Sequence, residues 1–288
     1  MSRLWIPGGR GMLGTRLAAD AVASHDVLVT DSDTDIADRA KVAAFLDEKK
    51  PGAIIICAAW TAVDLAEQEA DAAFRVNATG PLVVAEEAAK RSIRVVHLST
   101  DYVFDGLASR PLTEDDPVGP VSVYGRTKLS GERAVVDHGG LVVRTSWLYA
   151  ASHKNFVLTM LRLMAEREQL RVVADQRGRP TSVATLSAAL LKLLEVGATG
   201  VVHVADDAGP TGISWHDFAV ASREGALARG LPMKTTAIEA IPTSAYPTPA
   251  ARPAWSVFDT AKYTRLTGQP LPPWQTRLGE VLDVLAAR

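Results

Sequence analysis

A tyrosine and a lysine, Tyr124 and Lys128, stand four residues apart in a segment that is predicted to begin a helix. Residues four apart share one face of a helix, so both side chains can reach the same small volume. An ammonium beside a phenol lowers a phenol pKa that is ordinarily about 10. Such a tyrosine can protonate a carbonyl that receives hydride, while the lysine holds a cofactor ribose. The spacing alone also fits an ordinary amphipathic helix, so its surroundings decide the interpretation.

A hydroxyl-rich strand end precedes this pair in the chain. Ser99, Thr100 and Asp101 follow an apolar run, and open α/β sheets bind ligands at the carboxyl ends of their strands. Thr100 is predicted to bond the substrate oxygen. Ser99 stays an alternative donor, because side chains alternate along a strand and the sequence does not fix the phase.

Three glycines follow the first apolar run and precede an amphipathic segment. Gly8, Gly11 and Gly14 give the spacing G-x-x-G-x-x-G, which differs from the general G-x-G-x-x-G fingerprint. Glycine lets a pyrophosphate approach the N–H groups of a helix N-terminus, where the dipole favours an anion. The spacing also fits a plain strand-to-helix turn. Its place at the start of a βαβ unit favours binding of NADPH or NADH.

Two nearby residues give opposite signals about which cofactor is preferred. Asp31 ends the second predicted strand, near the offset of roughly 20 residues expected of a carboxylate that bonds a ribose 2'-hydroxyl. It would repel the 2'-phosphate of NADPH, whereas Arg10 in the glycine loop would attract that phosphate. We predict that both cofactors are used.

Apolar, β-branched runs alternate with amphipathic segments up to about Val173, and this alternation predicts βαβ units. The predicted strands are Leu4–Pro7, Val27–Thr30, Ala53–Cys57, Arg94–Leu98, Leu141–Arg144 and Leu170–Val173. The predicted helices are Leu13–Ser24, Ala37–Glu48, Asp71–Ser92, Gly125–Val136 and Phe156–Glu166. Most strands are continuously apolar, as buried parallel strands are. The fold class is therefore an α/β, Rossmann-type, doubly wound parallel sheet.

The last third of the chain loses this regular alternation. It carries a predicted helix over Val183–Glu195, a strand over Val201–Ala205 and a helix over Trp215–Ala228. We expect a dinucleotide-binding domain over residues 1–175 and a smaller α/β substrate lobe over residues 176–288, with some later segments returning to the first domain.

Composition excludes several classes of protein. The chain of 288 residues is 47% hydrophobic and 22% charged, which is ordinary for a globular protein. A net charge of -2 with mixed signs gives no field to collect nucleic acid or an anionic membrane. The single cysteine, Cys57, lies in an apolar run, and the N-terminus shows no signal-peptide pattern. We expect a cytoplasmic protein that binds neither nucleic acid nor membrane.

Several motifs together resemble the dTDP-4-dehydrorhamnose reductase family of the extended short-chain dehydrogenase/reductases. The resemblance spans almost the whole chain. Besides the glycine loop, it rests on residues 35–38 (DIAD), 58–64 (AAWTAVD), 77–78 (NA), 99–106 (STDYVFDG), 144–149 (RTSWLY), 155–157 (NFV), 175–181 (DQRGRPT) and 252–256 (RPAWS).

The resemblance implies reduction of the C4 ketone of a dTDP-linked 6-deoxy sugar, foremost dTDP-4-dehydro-L-rhamnose. It implies Thr100, Tyr124 and Lys128 as the catalytic set and Thr100, Asp101 and Trp147 beside the sugar. The residues that it places at the cofactor are Gly11, Met12, Leu13, Asp35, Ile36, Ala59, Trp60 and Thr61. Arg252 is a candidate for the diphosphate because a guanidinium fork suits phosphate oxygens, although a solvated loop arginine is an alternative.

Three of these residues also have purely structural interpretations. Trp147 can be a core residue beneath the sugar site, Asp35 can cap a helix, and Trp60 can be an aromatic residue that only packs. The chain departs from relatives at Pro7 and Trp60. Some relatives dimerise through magnesium held by an acidic residue just after the loop, where this chain has Thr15 and Arg16. We therefore expect no metal site and a monomer or weak homodimer.

Other functions compatible with this fold are a sugar-nucleotide dehydratase or epimerase and a reductase of another antibiotic-pathway 4-keto sugar, such as a dihydrostreptose precursor. A further alternative is a non-catalytic NADP-binding regulatory subunit that resembles the one of methionine adenosyltransferase. Dehydration is disfavoured because Tyr102 occupies the place where such relatives carry an acid. Retention of Tyr124 and Lys128 disfavours the regulatory subunit.

Overall fold

Strands and helices alternate along the first half of the computed structural model, which describes residues 2–288. The strands are β1 (Ser2–Pro7), β2 (His25–Thr30), β3 (Ala53–Ile56), β4 (Arg94–Thr100), β5 (Leu141–Thr145), β6 (Leu148–Tyr149), β7 (Gln169–Val173), β8 (Arg177–Gly178), β9 (Thr181–Ser182), β10 (Gly200–His203), β11 (Ile213–Ser214) and β12 (Ala237–Ile241).

The α-helices follow the same chain order. They are α1 (Met12–Ala21), α2 (Arg39–Lys49), α3 (Val63–Ala66), α4 (Ala70–Phe74), α5 (Gly80–Ala89), α6 (Val123–Asp137), α7 (Phe156–Glu166), α8 (Val183–Glu195), α9 (Trp215–Leu227), α10 (Ala261–Thr267) and α11 (Trp274–Ala286). A π-helical turn, Arg75–Thr79, joins α4 to α5.

Six strands form one parallel sheet in the order β2-β1-β3-β4-β5-β10. The chain runs outward from β1 to β2 and then returns to the other side of β1 with β3. This reversal opens a crevice at the carboxyl ends of β1 and β3, where doubly wound sheets bind ligands. The structure confirms the predicted fold class.

Successive residues of each strand enter opposite layers of the core. On β1, Leu4 and Ile6 pack with α1 and α8, whereas Trp5 packs with α2 and α5. All three side chains are completely buried. Burial on both faces explains the continuously apolar strands, and it holds the strand ends rigidly in register.

One strand that was predicted for the main sheet lies outside it, and another strand forms its edge. The expectation that Leu170–Val173 continues the βαβ alternation was wrong, because β7 pairs with β12 in a separate two-stranded sheet. Its side chains alternate, with Leu170 and Val172 buried and Arg171 exposed, as suits a strand with one covered face. In its place β10 joins β5 as the sixth strand of the main sheet.

The long helix predicted over Asp71–Ser92 is present, but the π-helical turn divides it into α4 and α5. Such turns occur mostly as single bulges inside α-helices, frequently at functional sites. Among residues 2–288, no helix is both long and apolar enough to cross a bilayer.

Candidate active site

A cleft of about 580 Å³ opens at the carboxyl ends of the sheet, and we call it the main cleft. It gathers residues from distant parts of the chain because parallel strands end at one edge. Its walls contain many of the residues predicted from sequence: Gly8, Gly11, Met12, Leu13, Gly14, Ala59, Thr61, Thr100, Asp101, Tyr124, Lys128 and Trp147.

The glycine loop forms one wall of the main cleft through its main chain. Gly8 has a φ of 78°, and a Cβ there would come within 2.3 Å of the Ala58 nitrogen. A Cβ on Gly14 would meet the Gly8 oxygen at 2.4 Å. Both positions therefore require glycine for packing.

Gly11 differs from its two neighbours because a Cβ there would meet nothing closer than 3.4 Å. It is the N-cap of α1, and no side chain caps the first turn of that helix. The first N–H groups of a helix have no acceptor within it. Bare N–H groups and the helix dipole thus face the cleft, and this cradle fits the pyrophosphate of a dinucleotide.

A cavity of about 470 Å³, the side cavity, shares Gly8, Gly11 and Ala59 with the main cleft and continues it along β2. It contains three further predicted residues, Asp31, Asp35 and Ile36. Asp35 accepts from the Ala37 nitrogen at 2.9 Å and pairs with Arg75. The N-cap of α2 is instead Asp38. Arg75, which sequence reasoning missed, brings a cation to this cavity.

Arg10 and Trp60 contribute main chain rather than side chain around these cavities. The Arg10 nitrogen donates to Asp31 at 3.2 Å. The Trp60 nitrogen donates to the Asn77 side chain at 2.9 Å, and its carbonyl accepts from the same amide at 3.1 Å. Neither side chain lines the main cleft or the side cavity as described for residues 2–288.

Asn77 is a residue whose role the sequence did not reveal. It is completely buried in the π-helical turn and donates to the Thr127 hydroxyl at 3.1 Å. The same amide thus ties the loop after β3 to α6, which carries Tyr124 and Lys128. The available signal in the sequence was the Asn77-Ala78 motif. That motif does not show which segments Asn77 connects, because this depends on its side-chain contacts.

Thr100 and Ser99 point in different directions at the end of β4. Thr100 lines the main cleft, and its hydroxyl donates to Asp101 at 3.0 Å. Ser99 donates to the buried Glu132 at 2.8 Å, on the α6 side of the sheet. Both residues line the main cleft, but Glu132 holds the Ser99 hydroxyl, whereas the Thr100 hydroxyl lies beside Asp101 and Tyr124 at the candidate reaction site.

Tyr124 and Lys128 both line the main cleft from α6. Ser122 caps this helix by accepting from the Gly125 nitrogen at 3.1 Å. Gly125 and Gly131 let the helix approach its neighbours, since a Cβ would come within 2.2 Å of the Tyr102 oxygen and 2.1 Å of the Asn77 oxygen respectively. The sequence thus fixes the depth at which Tyr124 and Lys128 enter the site.

The prediction that Lys128 lowers the Tyr124 pKa was wrong for this structure. Burial raises the Tyr124 pKa to about 12, and the neighbouring Thr100 hydroxyl acts in the lowering direction. Lys128 is not among the causes of this shift, and its Nζ lies 3.3 Å from Nε2 of His97, on β4. Burial lowers the Lys128 pKa to about 7, while Glu132 acts to raise it.

Asp101 and Tyr102 complete the floor of the cleft beside Thr100. The carboxyl of Asp101 is buried, and its Oδ2 has no hydrogen-bond partner within residues 2–288. Burial raises the Asp101 pKa to about 6. Tyr102 meets Tyr124 edge to face, with ring centroids 5.4 Å apart.

Trp147 forms the opposite wall, stacked on Trp215 with centroids 3.5 Å apart and planes 10° from parallel. Its φ of 50° is unusual for a bulky residue and marks strain of the kind that clusters at functional sites. A Cβ on Gly178 would strike the Trp147 ring at 2.7 Å. Trp215, which sequence reasoning missed, lies at the start of α9.

A second cavity of about 570 Å³, the lobe cavity, lies between α7, β7 and the segment after β12. Trp215 lines both this cavity and the main cleft. Three arginines, Arg167, Arg171 and Arg252, stand in its wall. Arg252 is not a free loop residue, because it pairs with Asp64 at 2.9 Å and donates to the Ala250 oxygen.

No group of three metal-ligating side chains is found within residues 2–288. Thr15 and Arg16, at the position discussed for magnesium, have protein partners. Thr15 contacts the Gly9 oxygen at 3.5 Å, and Arg16 pairs with Asp20 at 2.8 Å.

Together, the parallel sheet, the glycine cradle and the hydroxyl-bearing cleft define a Rossmann-type dinucleotide-binding protein. The family model described as "RmlD substrate binding domain" matches residues 2–287. The chain belongs to this family.

Curated relatives match over nearly the full length. A dTDP-4-dehydrorhamnose reductase from Aggregatibacter actinomycetemcomitans is 38% identical, with 98% of each chain covered. A dTDP-4-keto-6-deoxy-D-glucose reductase from Streptomyces niveus is 37% identical, covering 100% of this chain and 99% of the relative. A solved dTDP-4-dehydrorhamnose reductase from Bacillus anthracis, in complex with NADP, is 35% identical with a TM-score of 0.91, covering 98% and 99% of the two chains.

Proposed function

We propose that the protein reduces the C4 ketone of a dTDP-linked 6-deoxy sugar with NADPH or NADH, foremost dTDP-4-dehydro-L-rhamnose. The observation that carries this proposal is that Thr100 and Tyr124 line the same cleft as the bare helix N-terminus of the glycine loop. The curated reductases, matched over nearly the whole chain, support the substrate class.

Each predicted cofactor residue has a place in this proposal. The N–H groups of the glycine loop would hold the pyrophosphate, and the side cavity, which contains Ile36, Asp31 and Asp35, would take the adenosine. The passage between the glycine loop and the side cavity is bordered by Ala59, Thr61 and the backbone of Trp60, which Asn77 holds in place. The bound cofactor supplies the hydride. Lys128, which lines the main cleft, would hold the ribose of the bound cofactor.

The catalytic roles follow from the order of groups along α6 and β4. Tyr124 gives the proton that the reduced oxygen requires, and Thr100 donates a hydrogen bond to that oxygen. A phenol whose pKa is about 12 remains protonated at neutral pH, so it is ready to act as the acid. Asp101 and Trp147 border the sugar.

The nucleotide half of the substrate is proposed to extend past Trp215 into the lobe cavity. Trp215 joins the two cavities, and the three arginines of the lobe cavity offer charge to a diphosphate. Arg252 reaches phosphate from a position already fixed by Asp64. In this proposal the substrate side is shared by α7, β7, Trp215 and the segment after β12.

The first experiment follows NAD(P)H absorbance with dTDP-4-dehydro-L-rhamnose that is generated in place by the preceding enzymes, and it identifies the product. Formation of dTDP-L-rhamnose establishes reaction and substrate together. Turnover only with dTDP-4-keto-6-deoxy-D-glucose moves the assignment to a reductase of that sugar nucleotide, which is the substrate in the name of the Streptomyces niveus relative at 37% identity. Tight NADP binding with no turnover supports the regulatory-subunit alternative.

Cofactor choice and assembly complete the proposal. Asp31 and Asp35 oppose a 2'-phosphate, whereas Arg75 in the side cavity and Arg10, from outside that cavity, attract it, so we propose that both NADH and NADPH serve. A ratio of their kcat/KM values far from unity contradicts this. We also propose a cytoplasmic monomer or weak homodimer that binds neither nucleic acid nor membrane. Sedimentation with magnesium and with a chelator tests the assembly, and a metal-dependent dimer contradicts it.

A further inference from the structure

Two histidines are completely buried in the main sheet, and their surroundings differ. His203 on β10 has partners at both ring nitrogens, the Leu112 oxygen at 3.1 Å and Arg144 at 3.4 Å. His97 on β4 has one partner, Lys128, while its Nδ1 has none within residues 2–288. A buried polar atom left unpaired ordinarily destabilises a fold, so His97 is poorly explained by stability alone.

The protonation states at this contact follow from chemistry. An ammonium has three donors and no acceptor, so Nε2 of a neutral His97 accepts from Lys128 and the ring proton lies on Nδ1. Burial, and then the Lys128 charge, hold the His97 pKa well below its ordinary value, which keeps the ring neutral. The other titratable groups that face Lys128 are Cys57, after β3, and Glu132, one turn along α6.

Neither of those groups can replace His97 as a partner. Burial raises the Cys57 pKa to about 12, so its thiol stays neutral. Glu132 is held by Arg144 in a buried ion pair and by Ser99. Within residues 2–288, His97 is therefore the side chain that supports the Lys128 ammonium by hydrogen bonding.

We propose that His97 is a positioning residue that holds the Lys128 ammonium at the floor of the main cleft through a neutral imidazole acceptor. One N–H of Lys128 is fixed against β4, and two remain for a cofactor ribose and the reaction site. This inference rests on the proposed function, since it assigns the free N–H groups to a bound cofactor.

The matched variants His97→Gln and His97→Asn test this role. A glutamine amide reaches the place of Nε2 and retains the acceptor, whereas the shorter asparagine amide ends near the place of Nδ1. The acceptor lost in His97→Asn lowers the Lys128 pKa further, so the ammonium is lost at lower pH. His203→Gln is the control for disturbing a buried histidine away from Lys128.

The measurement is the dissociation constant of NADPH by fluorescence between about pH 6 and about pH 8, without sugar substrate. We expect His97→Asn to weaken binding roughly tenfold at about pH 8 and less at about pH 6, since bonds to charged groups are worth that much. His97→Gln should stay within about threefold of wild type at both pH values. His203→Gln should lower the Tm without changing the pH profile of binding.

Equal affinity and equal pH profiles for wild type and His97→Asn overturn the proposal. Equal losses in His97→Gln and His97→Asn also overturn it, because they indicate a purely structural role. A wild type that binds NADPH but reduces no sugar nucleotide defeats the reductase assignment alone, since the binding comparison still reports on His97. A wild type that does not bind NADPH overturns both.

Discussion

The main cleft and the lobe cavity have nearly equal volumes, but main-chain groups shape the first and side chains shape the second. The main cleft uses strand ends and the bare N–H groups of α1, so its geometry is set by main chain. The lobe cavity is walled by side chains of α7, β7 and the segment after β12. We infer that substitutions in the first change the chemistry or the fold, whereas substitutions in the second change selectivity for the sugar nucleotide.

The largest expected effect separates chemistry from binding within the main cleft. Tyr124→Phe removes the proposed proton donor and keeps the ring, so kcat should fall about a thousandfold, within the range of general acid catalysis. The affinity for NADPH should stay at the wild-type value. Steady-state kinetics and a fluorescence titration check both, and near-normal turnover would refute the assigned role.

The next effect tests how strongly the main chain fixes the main cleft. Gly8→Ala forces an alanine into the left-handed backbone conformation of Gly8 and brings its Cβ into a clash with Ala58. The free energy of unfolding should therefore fall by about 3 kcal/mol, and the affinity for NADPH should fall with it. Urea unfolding measures the first quantity. Gly139→Ala is the matched control, since its φ is 75° but nothing lies within 4 Å of a Cβ.

Gly139→Ala should lower the free energy of unfolding by about 1 kcal/mol, because only the backbone conformation opposes it, and it should leave cofactor affinity unchanged. If Gly8→Ala lowers the free energy of unfolding no more than Gly139→Ala does, the close approach of Ala58 to Gly8 does not stabilise the main cleft. The two variants thus divide backbone strain from packing.

A smaller effect is expected in the lobe cavity. Arg252→Ala should raise the KM for the sugar nucleotide about tenfold, as loss of a hydrogen bond to a charged group does, and leave NADPH affinity unchanged. Asp64→Asn serves as a companion, because it weakens the anchoring of Arg252 without removing its charge. An unchanged KM in both variants would show that the diphosphate does not reach Arg252.

The smallest effect concerns Asp101 and depends on pH. Its folded pKa of about 6 lies above the ordinary 3.8, so the wild type loses stability as pH rises from about 4 to about 6. Asp101→Asn imitates the neutral form. It should unfold like wild type at about pH 4 and be more stable than wild type above pH 6, because the asparagine has no carboxyl group to ionise. Urea denaturation across this range checks the sign.

Much of the main cleft was predictable because its signals are local in sequence. The glycines must admit a backbone approach, and the spacing of Tyr124 and Lys128 is one helical turn. The strands were readable because burial on both faces removes polar positions. In each case neighbouring residues carry the whole pattern.

The remaining features depend on contacts between distant segments. His97 and Lys128 meet across 31 positions of the chain, and Trp60 and Asn77 across 17. The placement of β7 outside the sheet was signalled by its alternating pattern, but its partner β12 was not. The Tyr124 pKa was mispredicted because helical spacing gives proximity and not the direction in which a lysine side chain extends.

The stacked indoles of Trp147 and Trp215 also make the protein spectroscopically informative. Two indoles whose ring centroids lie 3.5 Å apart are close enough for their excited states to couple, so the fluorescence of this pair should differ from that of isolated tryptophans. Since the pair borders the main cleft and Trp215 also borders the lobe cavity, ligands entering either space perturb the same signal. The protein thus carries an intrinsic optical reporter that needs no label.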